Sequence, residues 1–182
     1  MQRIIKTVQN NELDRTLDFV EKVFTDSEGE ESGKLVRSLL AEIRSKKYYL
    51  PELDLIMVNE DGDVMGHVLF SRFHIEGRYE DELLLLSPVS VKTDLQRQHI
   101  SKDLIEHSLE KARKLGYKIC MVEGNPRNYR SRGFVTSANY GIYADESVDL
   151  PHPDCLMVQE LVPGALENVH GYINYKFYES LV

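Results

Sequence analysis

The strand–helix–strand segment at residues 83–123 constrains the fold of this chain more than any other part of the sequence. LLLLSPVSV at 83–91 is apolar along most of its length, which is typical of a strand that is covered on both faces. Residues from about 98 to 115 carry apolar side chains at helical spacing, then basic residues and Gly116, which predicts a helix with a defined end. YKICMVE at 117–123 follows as a second buried strand. Because such connections are right-handed, the segment predicts a parallel crossover.

The rest of the chain shows helical and strand periodicities on both sides of this segment. They predict a strand at 2–8, helices at about 11–24 and 34–45, a hairpin at 54–75 around the NEDG turn, and strands at 134–143 and 155–161. TDSEGEESG at 25–33 is predicted to be an acidic, glycine-containing loop between the first two helices. The order predicts an α/β fold in which a mixed, mostly antiparallel sheet carries helices on both faces, within a single domain spanning 1–182.

The charge balance limits the classes of partner. The chain has 22 Lys and Arg residues against 30 Asp and Glu residues, a formal net charge of −8. Nucleic acids and anionic membranes bind to basic faces, so we expect neither as a partner. A cationic or neutral small partner suits this charge, although solubility alone explains it equally well. The start, MQRIIKTVQNNELDR, has no apolar leader core, and no apolar run reaches the roughly 20 residues of a membrane helix, so we expect a cytoplasmic protein.

The two cysteines, Cys120 and Cys155, both lie in apolar runs and are interpreted as small buried side chains. No cluster of Cys and His residues has metal-ligand spacing, so no metal site is predicted. Nothing near Cys120 in the sequence would lower the pKa of its thiol, so we do not expect it to be a nucleophile.

The turn QRQHIS at 96–101 lies where the first strand of the crossover leads into its helix. Backbone N–H groups at a helix N-terminus bind phosphate readily, and such turns favour glycine because the backbone approaches the anion closely. His99 and Ser101 stand where glycine is expected. Both residues keep a backbone N–H, so the donors survive, whereas clearance and easy access to positive φ are lost. Taken alone, the turn predicts either a modified phosphate site or a plain strand–helix connection.

The surrounding sequence, SPVSVKTDLQRQHISKDLIEHSLEKARKLGY, resembles the coenzyme-binding motif of the GCN5-related N-acetyltransferase (GNAT) family. That motif is a strand ending in an L/V-x-V step, a short turn, and then Q/R-x-x-G-x-G/A at the start of a helix. The matching residues are Gln96, Arg97, Gln98 and Ile100. His99 and Ser101 replace the two glycines of the motif.

A second segment, EGNPRNYRSRGF, is similar to a later part of the family in which a tyrosine lies four residues before Gly-Phe; Tyr129, Gly133 and Phe134 occupy these places. The tail LMVQELVPGALENVHGYINY is similar to the ends of one acetyltransferase subgroup. The resemblance implies the acyl-CoA N-acyltransferase fold, with a coenzyme-binding core at about 83–134 and further strands at 134–182. It also implies acetyl-coenzyme A (acetyl-CoA) as cofactor and an amine of a small molecule or protein as acceptor, and it leaves a homodimer open.

By the same resemblance, the coenzyme would lie along the end of the first crossover strand and the start of the helix. Backbone groups of Val89 and Val91 would bind the pantetheine arm and the thioester, where one N–H would stabilise negative charge on the thioester oxygen. The N–H groups that would face the pyrophosphate are those of Arg97, Gln98, His99, Ile100 and Ser101. The Arg97 side chain would add charge-assisted hydrogen bonds, and Asn125 would bind the pantetheine amides.

Tyr129 is the candidate catalytic acid, because its position matches the family tyrosine beside the coenzyme sulfur. The alternative is that Tyr129 packs a short helix and leaves its hydroxyl in solvent. No motif identifies a base; the candidates are Glu82, His74 and Glu123, each of which more often serves a structural role. A base that acts through water would leave no fixed spacing in the sequence.

The acceptor would lie against the acidic loop at 25–33, together with the loop that contains His152. The acidic residues of the first loop are Asp26, Glu28, Glu30 and Glu31. A solvated run of charge explains these residues equally well. The leading hypothesis is an acetyl-CoA-dependent N-acetyltransferase that transfers the acetyl group directly in a ternary complex. The alternative, motivated by His99, is a non-catalytic domain on the same scaffold that binds CoA as a sensor or binds a protein partner.

Overall fold

The computed structural model describes residues 2–181. Its strands are β1 (Ile4–Thr7), β2 (Asp54–Val58), β3 (Val64–Arg72), β4 (Leu83–Val91), β5 (Ile119–Glu123), β6 (Val135–Thr136), β7 (Ile142–Ala144), β8 (Leu156–Glu160) and β9 (Gly171–Ile173). Its α-helices are α1 (Leu13–Glu28), α2 (Glu30–Ser45), α3 (Ile100–Lys114) and α4 (Pro126–Tyr129). The predicted first strand, hairpin and crossover are therefore confirmed. Among the described residues, no helix combines the length and the apolar character that crossing a membrane requires.

Seven strands form one sheet in the order β1-β2-β3-β4-β5-β8-β6, and β7 and β9 form a small second sheet. In the larger sheet, β4 and β5 pair in parallel, whereas the other neighbouring strands pair antiparallel. α3 connects the parallel pair, as the crossover requires. This mixed, mostly antiparallel sheet between helices confirms the predicted α/β class.

The sheet buries an apolar cluster on each face. α3 supplies Leu104 and Leu109 to one cluster, where they meet side chains of the sheet such as Phe70. α1 and α2 supply Val20 and Leu40 to the cluster on the opposite face. Because helices cover both faces, the central strands are apolar along continuous runs rather than at alternate positions.

β4 and β5 separate beyond their first residues. Leu83–Leu85 pair with Ile119–Met121, and the pairing stops there. On its other side, β4 carries one extra residue between Leu86 and Val89 relative to β3. Such a bulge bends a strand. The edge of β4 at Val89–Val91 therefore borders a cleft rather than a neighbouring strand.

The prediction of an acidic loop at 25–33 is wrong. α1 ends at Glu28 and α2 begins at Glu30, so only Gly29 lies between the two helices. Gly29 turns the chain alone, with a φ of 100°. Gly33 lies inside α2, where an added Cβ would come within 2.0 Å of Thr25 Oγ1 and 2.7 Å of the Glu21 carbonyl oxygen. The two glycines therefore permit a one-residue turn and a close helix–helix approach, not a flexible loop.

The prediction of one continuous strand at 134–143 is wrong. This segment is divided into β6 and β7, which belong to different sheets, by a 3-10 turn at Ser137–Tyr140. The Ser137 hydroxyl donates to the Ile142 carbonyl at 2.8 Å, and Gly141 adopts a φ of 72°, so the chain turns here. β8 confirms the strand predicted at 155–161, whereas β9 is too short to produce a periodicity.

Candidate functional site

A cavity of about 650 Å³ opens between the separated end of β4, the start of α3 and the side of α1. Its lining residues are Val89, Ser90 and Val91 of β4, Gln96, Arg97, His99, Ile100, Ser101 and Ile105 of the turn and α3, Asn128, Tyr129 and Arg132 of α4 and the turn after it, and Val23, Phe24, Ser27 and Glu28 of α1. The cavity thus brings together most of the residues that the sequence predicts for coenzyme binding.

The segment Gln96–Ser101, which we call the α3 turn, has the backbone shape that glycine usually provides. Arg97 has a φ of 62° and His99 a φ of 65°. This left-handed conformation costs a non-glycine residue about 1–2 kcal/mol, and histidine is one of the types that adopts it more readily. Ser101 lies inside α3 with ordinary helical backbone, so its position requires small size rather than conformational freedom.

The first turn of α3 keeps its N–H donors available. His99 is the N-cap residue, and its side chain makes no capping hydrogen bond. The first four N–H groups of a helix have no partner within the helix, and they carry a partial positive charge. An anion in the cavity would therefore meet backbone donors, with Arg97 in the same wall.

Arg132 adds a second cation to this wall. It lies after α4, and its Nη2 donates to Ser101 Oγ at 2.8 Å. Its Nε is buried and has no hydrogen-bond partner within the part of the chain that the structure describes. The sequence motifs give no signal for this residue, because the contact joins two segments that only the folded sheet brings together.

Tyr129 lies in the cavity wall and is held by aromatic packing. Its ring meets Phe134 edge-on, with 5.8 Å between the ring centroids. Gly124 leaves room for the ring, since a Cβ there would come within 2.5 Å of it. Burial raises the pKa of the Tyr129 hydroxyl, and the positive charge of Arg132 partly offsets this effect. The hydroxyl is therefore protonated at neutral pH and can donate a proton.

Two predicted coenzyme-binding residues do not line the cavity. Gln98 is held by its backbone carbonyl, which accepts a hydrogen bond from Arg3 Nη1 at 2.9 Å. Asn125 caps α4, because its side-chain oxygen accepts from the Arg127 backbone N–H at 3.0 Å. Asn128, one turn later, lines the cavity instead.

None of the three base candidates is among the described residues that line the cavity. Glu82 precedes β4 and pairs with Lys118 Nζ at 2.7 Å. At the usual rise of a strand, it lies roughly 25 Å from the open end of β4. His74 Nδ1 accepts a backbone hydrogen bond, and burial lowers the pKa of this imidazole. Glu123, at the end of β5, accepts a hydrogen bond from the Tyr175 hydroxyl.

The acidic residues predicted on the acceptor side are divided between the cavity and the surface. Glu28 lines the cavity from the last turn of α1. Asp26 and Glu30 instead pair with lysines of their own helices. His152 caps a 3-10 turn through its imidazole and is exposed.

The two cysteines are unpaired. Cys120 is fully buried, and burial raises the pKa of its thiol, which agrees with the expectation that it is not a nucleophile. Cys155 is half-buried rather than fully buried as expected.

Comparison with known sequences shows the family. Residues 4–136 match the acetyltransferase (GNAT) domain. YjhQ of Escherichia coli K12, an uncharacterized N-acetyltransferase, is 30% identical over 129 residues, which cover 70% of this chain and 68% of that protein. YhbS of the same organism, also an uncharacterized N-acetyltransferase, is 26% identical over 125 residues, or 68% of this chain and 71% of that protein.

Solved structures share the fold. The crystal structure of YhbS from E. coli in complex with CoA matches with a TM-score of 0.80 and 20% identity, covering 96% of this chain and 90% of that one. A GNAT family acetyltransferase from Brucella melitensis, in complex with acetyl-CoA, matches with a TM-score of 0.73 and 23% identity, covering 100% and 99%. These likenesses establish the architecture, and the matching domain at 4–136 establishes the ancestry. The chain therefore belongs to the GNAT acetyltransferase family.

Proposed function

We propose that this protein transfers the acetyl group of acetyl-CoA directly to an amine of a small molecule or protein. The observation that carries the proposal is that the open edge of β4, the α3 turn and Tyr129 line one cavity. The two structures with the same fold that contain CoA and acetyl-CoA support the choice of coenzyme.

In this proposal the coenzyme lies with its pyrophosphate at the α3 turn and its thioester beside β4. The diphosphate would accept hydrogen bonds from the backbone N–H groups of residues 97–101, and the Arg97 guanidinium would add charge. The edge of β4 at Val89–Val91 is free of β5, so its backbone groups are available to the pantetheine arm and the thioester oxygen.

The chemical step needs one proton donor on the sulfur side. The amine nitrogen attacks the thioester carbonyl, the carbon–sulfur bond breaks, and the leaving thiolate takes the proton of the Tyr129 hydroxyl. The proton lost by the amine passes to a base or to water. Because Glu82 lies at the far end of β4, its predicted role as base requires water to carry the proton between the cavity and its carboxylate. Burial of Cys120 supports direct transfer rather than an acetyl-cysteine intermediate.

The acceptor would approach along α1, which forms the wall opposite the coenzyme residues. Ser27 and Glu28 are the polar side chains of that wall. A carboxylate here favours a cationic amine at the entrance and stabilises it electrostatically before it loses its proton.

The test is calorimetry with acetyl-CoA, followed by a transfer assay over a panel of amines. We expect saturable binding and release of free CoA thiol that depends on the amine. A Kd of about 1 mM corresponds to a binding free energy of only about −4 kcal/mol. An absence of binding heat even at this concentration of acetyl-CoA would contradict the proposal.

A non-catalytic CoA-binding domain is the second candidate, and the positive φ of His99 favours it. A side chain at a position that favours glycine reduces the space for an anion. Coenzyme binding without transfer to any amine of the panel would support this candidate. A His99→Gly variant that binds CoA more tightly would show that the imidazole obstructs the site.

The predicted cytoplasmic location belongs to the same proposal, and a homodimer is left open. The unpaired cysteines are typical of a reducing compartment. Fractionation of expressing cells tests the location, and light scattering on the purified protein tests the dimer.

A further inference from the structure

Arg132 and Ser101 form a contact that links two segments of the same cavity wall, the first turn of α3 and the turn after α4. Ser101 lies in the first turn of α3, and its Oγ accepts from Arg132 Nη2 at 2.8 Å. Glycine or alanine at this position, as in the motif that the chain resembles, would offer no oxygen to the guanidinium. The departure at position 101 therefore creates an anchor for a cation at the helix N-terminus.

From this geometry we infer that Arg132 is a second phosphate-binding cation, which takes the diphosphate of the coenzyme together with the α3 turn. The inference rests on the proposed function, since it assigns a ligand group to the same cavity. In this arrangement Ser101 holds the guanidinium in place, and the N–H groups of Arg132 that face the cavity bind the diphosphate.

The state of the Arg132 guanidinium supports a ligand rather than a structural role. Its Nε is buried without a hydrogen-bond partner among residues 2–181. A buried, unpaired donor of a charged group is costly, so such groups are normally satisfied by a protein partner or a ligand. No carboxylate in the described part of the chain lies within ion-pair distance of Arg132, whereas its neighbour Arg130 pairs with Asp154 at 3.2 Å. Arg132 therefore keeps a full positive charge beside the helix N-terminus.

The inferred role also explains how the α3 turn could hold an anion without its usual glycines. His99 reduces the clearance over the backbone donors. A guanidinium with five donors in a fixed plane can bind phosphate oxygens from the side and needs no close backbone approach. The charge of Arg132 would then replace part of the phosphate binding that close backbone approach provides in turns with glycine.

The experiment compares CoA binding by calorimetry for the wild-type protein and the variants Arg132→Ala, Arg132→Lys and Arg130→Ala. Loss of a charge-assisted hydrogen bond should weaken CoA binding about 10- to 100-fold in Arg132→Ala. Arg132→Lys should recover part of the loss, because it restores the charge without the planar fork. Arg130→Ala is the matched control, since it removes a neighbouring arginine that does not line the cavity, and its affinity should stay within about twofold.

Two further measurements separate the diphosphate from the sulfur end and test the anchor. Desulfo-CoA, which keeps the diphosphate and lacks the thiol, should show the same loss in Arg132→Ala. Ser101→Ala should weaken CoA binding several-fold in the wild-type background and have no further effect in Arg132→Ala, because the two residues act together. Melting temperatures of all variants report whether they fold.

The outcomes are distinguishable. If the wild-type protein binds CoA and Arg132→Ala binds it equally well, the inference is wrong and the proposed function stands. The same holds if the loss disappears with desulfo-CoA, because Arg132 would then act at the sulfur. If the wild-type protein does not bind CoA, the proposed function and this inference fail together.

Discussion

Two polar regions of the molecule, the α3 turn and a network around Asp54, differ in whether their charged groups are paired with opposite charges. The Asp54 carboxylate at the start of β2 is fully buried and accepts from His67 Nε2 at 2.7 Å, Arg44 Nε at 2.9 Å and the Tyr49 hydroxyl at 2.8 Å. Arg44 in turn donates to Thr16 Oγ1 at 2.8 Å. The α3 turn instead presents uncapped N–H groups and Arg97, and Arg132 lies in the same cavity wall; neither arginine has a carboxylate partner in the described residues.

The difference indicates which region serves stability and which serves binding. Charges that are paired inside the protein leave nothing for a ligand, and removing one partner leaves the other uncompensated. Donors and cations that stay unpaired at a cavity wall contribute little to folding and are available to an anion. We therefore expect variants of the Asp54 network to change stability and variants around the α3 turn to change binding and catalysis.

The largest expected effect is on stability, from Asp54→Ala. Removal of the carboxylate leaves Arg44 buried without its counter-ion, which should lower the free energy of unfolding by about 3–5 kcal/mol. Urea denaturation measures the change. Asp26→Ala, which removes an exposed pair with Lys22, is the control and should change the free energy by no more than about 0.5 kcal/mol. Equal effects of the two substitutions would show that the buried Asp54 network contributes no more to stability than an exposed ion pair.

Tyr129→Phe should have the next largest effect, and on catalysis alone. Loss of the proton donor that we propose for the thiolate should lower kcat about 100-fold, while the affinity for acetyl-CoA and the melting temperature change little. Steady-state kinetics with any accepted amine measures this. Tyr143→Phe serves as the control, because Tyr143 is exposed and does not line the cavity. A Tyr129→Phe variant with unchanged kcat would show that the ring only packs α4.

Acid should weaken the Asp54 network. Burial would raise the pKa of Asp54, but hydrogen bonds and positive charge from His67 and Arg44 outweigh it and lower this pKa to about 2. A carboxyl whose pKa is lower in the folded state stabilises the protein above its unfolded pKa of about 3.9 and loses that contribution as the pH falls toward 2. The loss is about 3 kcal/mol, the equivalent of a shift of about two pKa units at about 1.36 kcal/mol per unit. Asp54→Asn should remove this component from denaturation curves recorded between pH 5 and 2; an identical pH dependence in both proteins would contradict the assignment.

The smallest expected effects are of opposite sign and fall within the α3 turn itself. His99→Gly removes the cost of holding a non-glycine residue in the left-handed backbone conformation, but it makes the unfolded chain more flexible. The net result should be a free energy of unfolding about 0.5 kcal/mol higher. Ser101→Gly lies in ordinary helix and should lower it by about the same amount. Thermal denaturation of both variants checks the pair, and a decrease for both would mean that His99 makes contacts that outweigh its backbone cost.

The fold could be predicted where one residue pattern allows one structure. The apolar run at 83–91 followed by a helix and a second buried strand gives the crossover, because few arrangements bury such a strand. The acidic segment at 25–33 could not be predicted correctly. The same glycines that are typical of loops are also required where helices approach closely, and only the position of Gly33 against Thr25 decides between them.

The candidate site could be predicted where it is local in sequence, as in the α3 turn and Tyr129. Ser27 and Arg132 reach the cavity through packing between segments that are far apart in the chain, so no spacing indicates them. Asn125 is predicted from its local sequence to bind the coenzyme, but it does not line the cavity. Its type suits an amide ligand, but the same side chain also caps a helix, and its sequence position does not distinguish the two uses.

The most direct test of the central claim is a crystal structure of the protein with CoA. If the coenzyme binds along β4 and the α3 turn, the diphosphate will lie within hydrogen-bond distance of the backbone N–H groups of residues 97–101. The pantetheine arm will lie along Val89–Val91, and the sulfur will lie near the Tyr129 hydroxyl. A nucleotide bound elsewhere, or a His99 imidazole that fills the space at the start of α3, would contradict this claim.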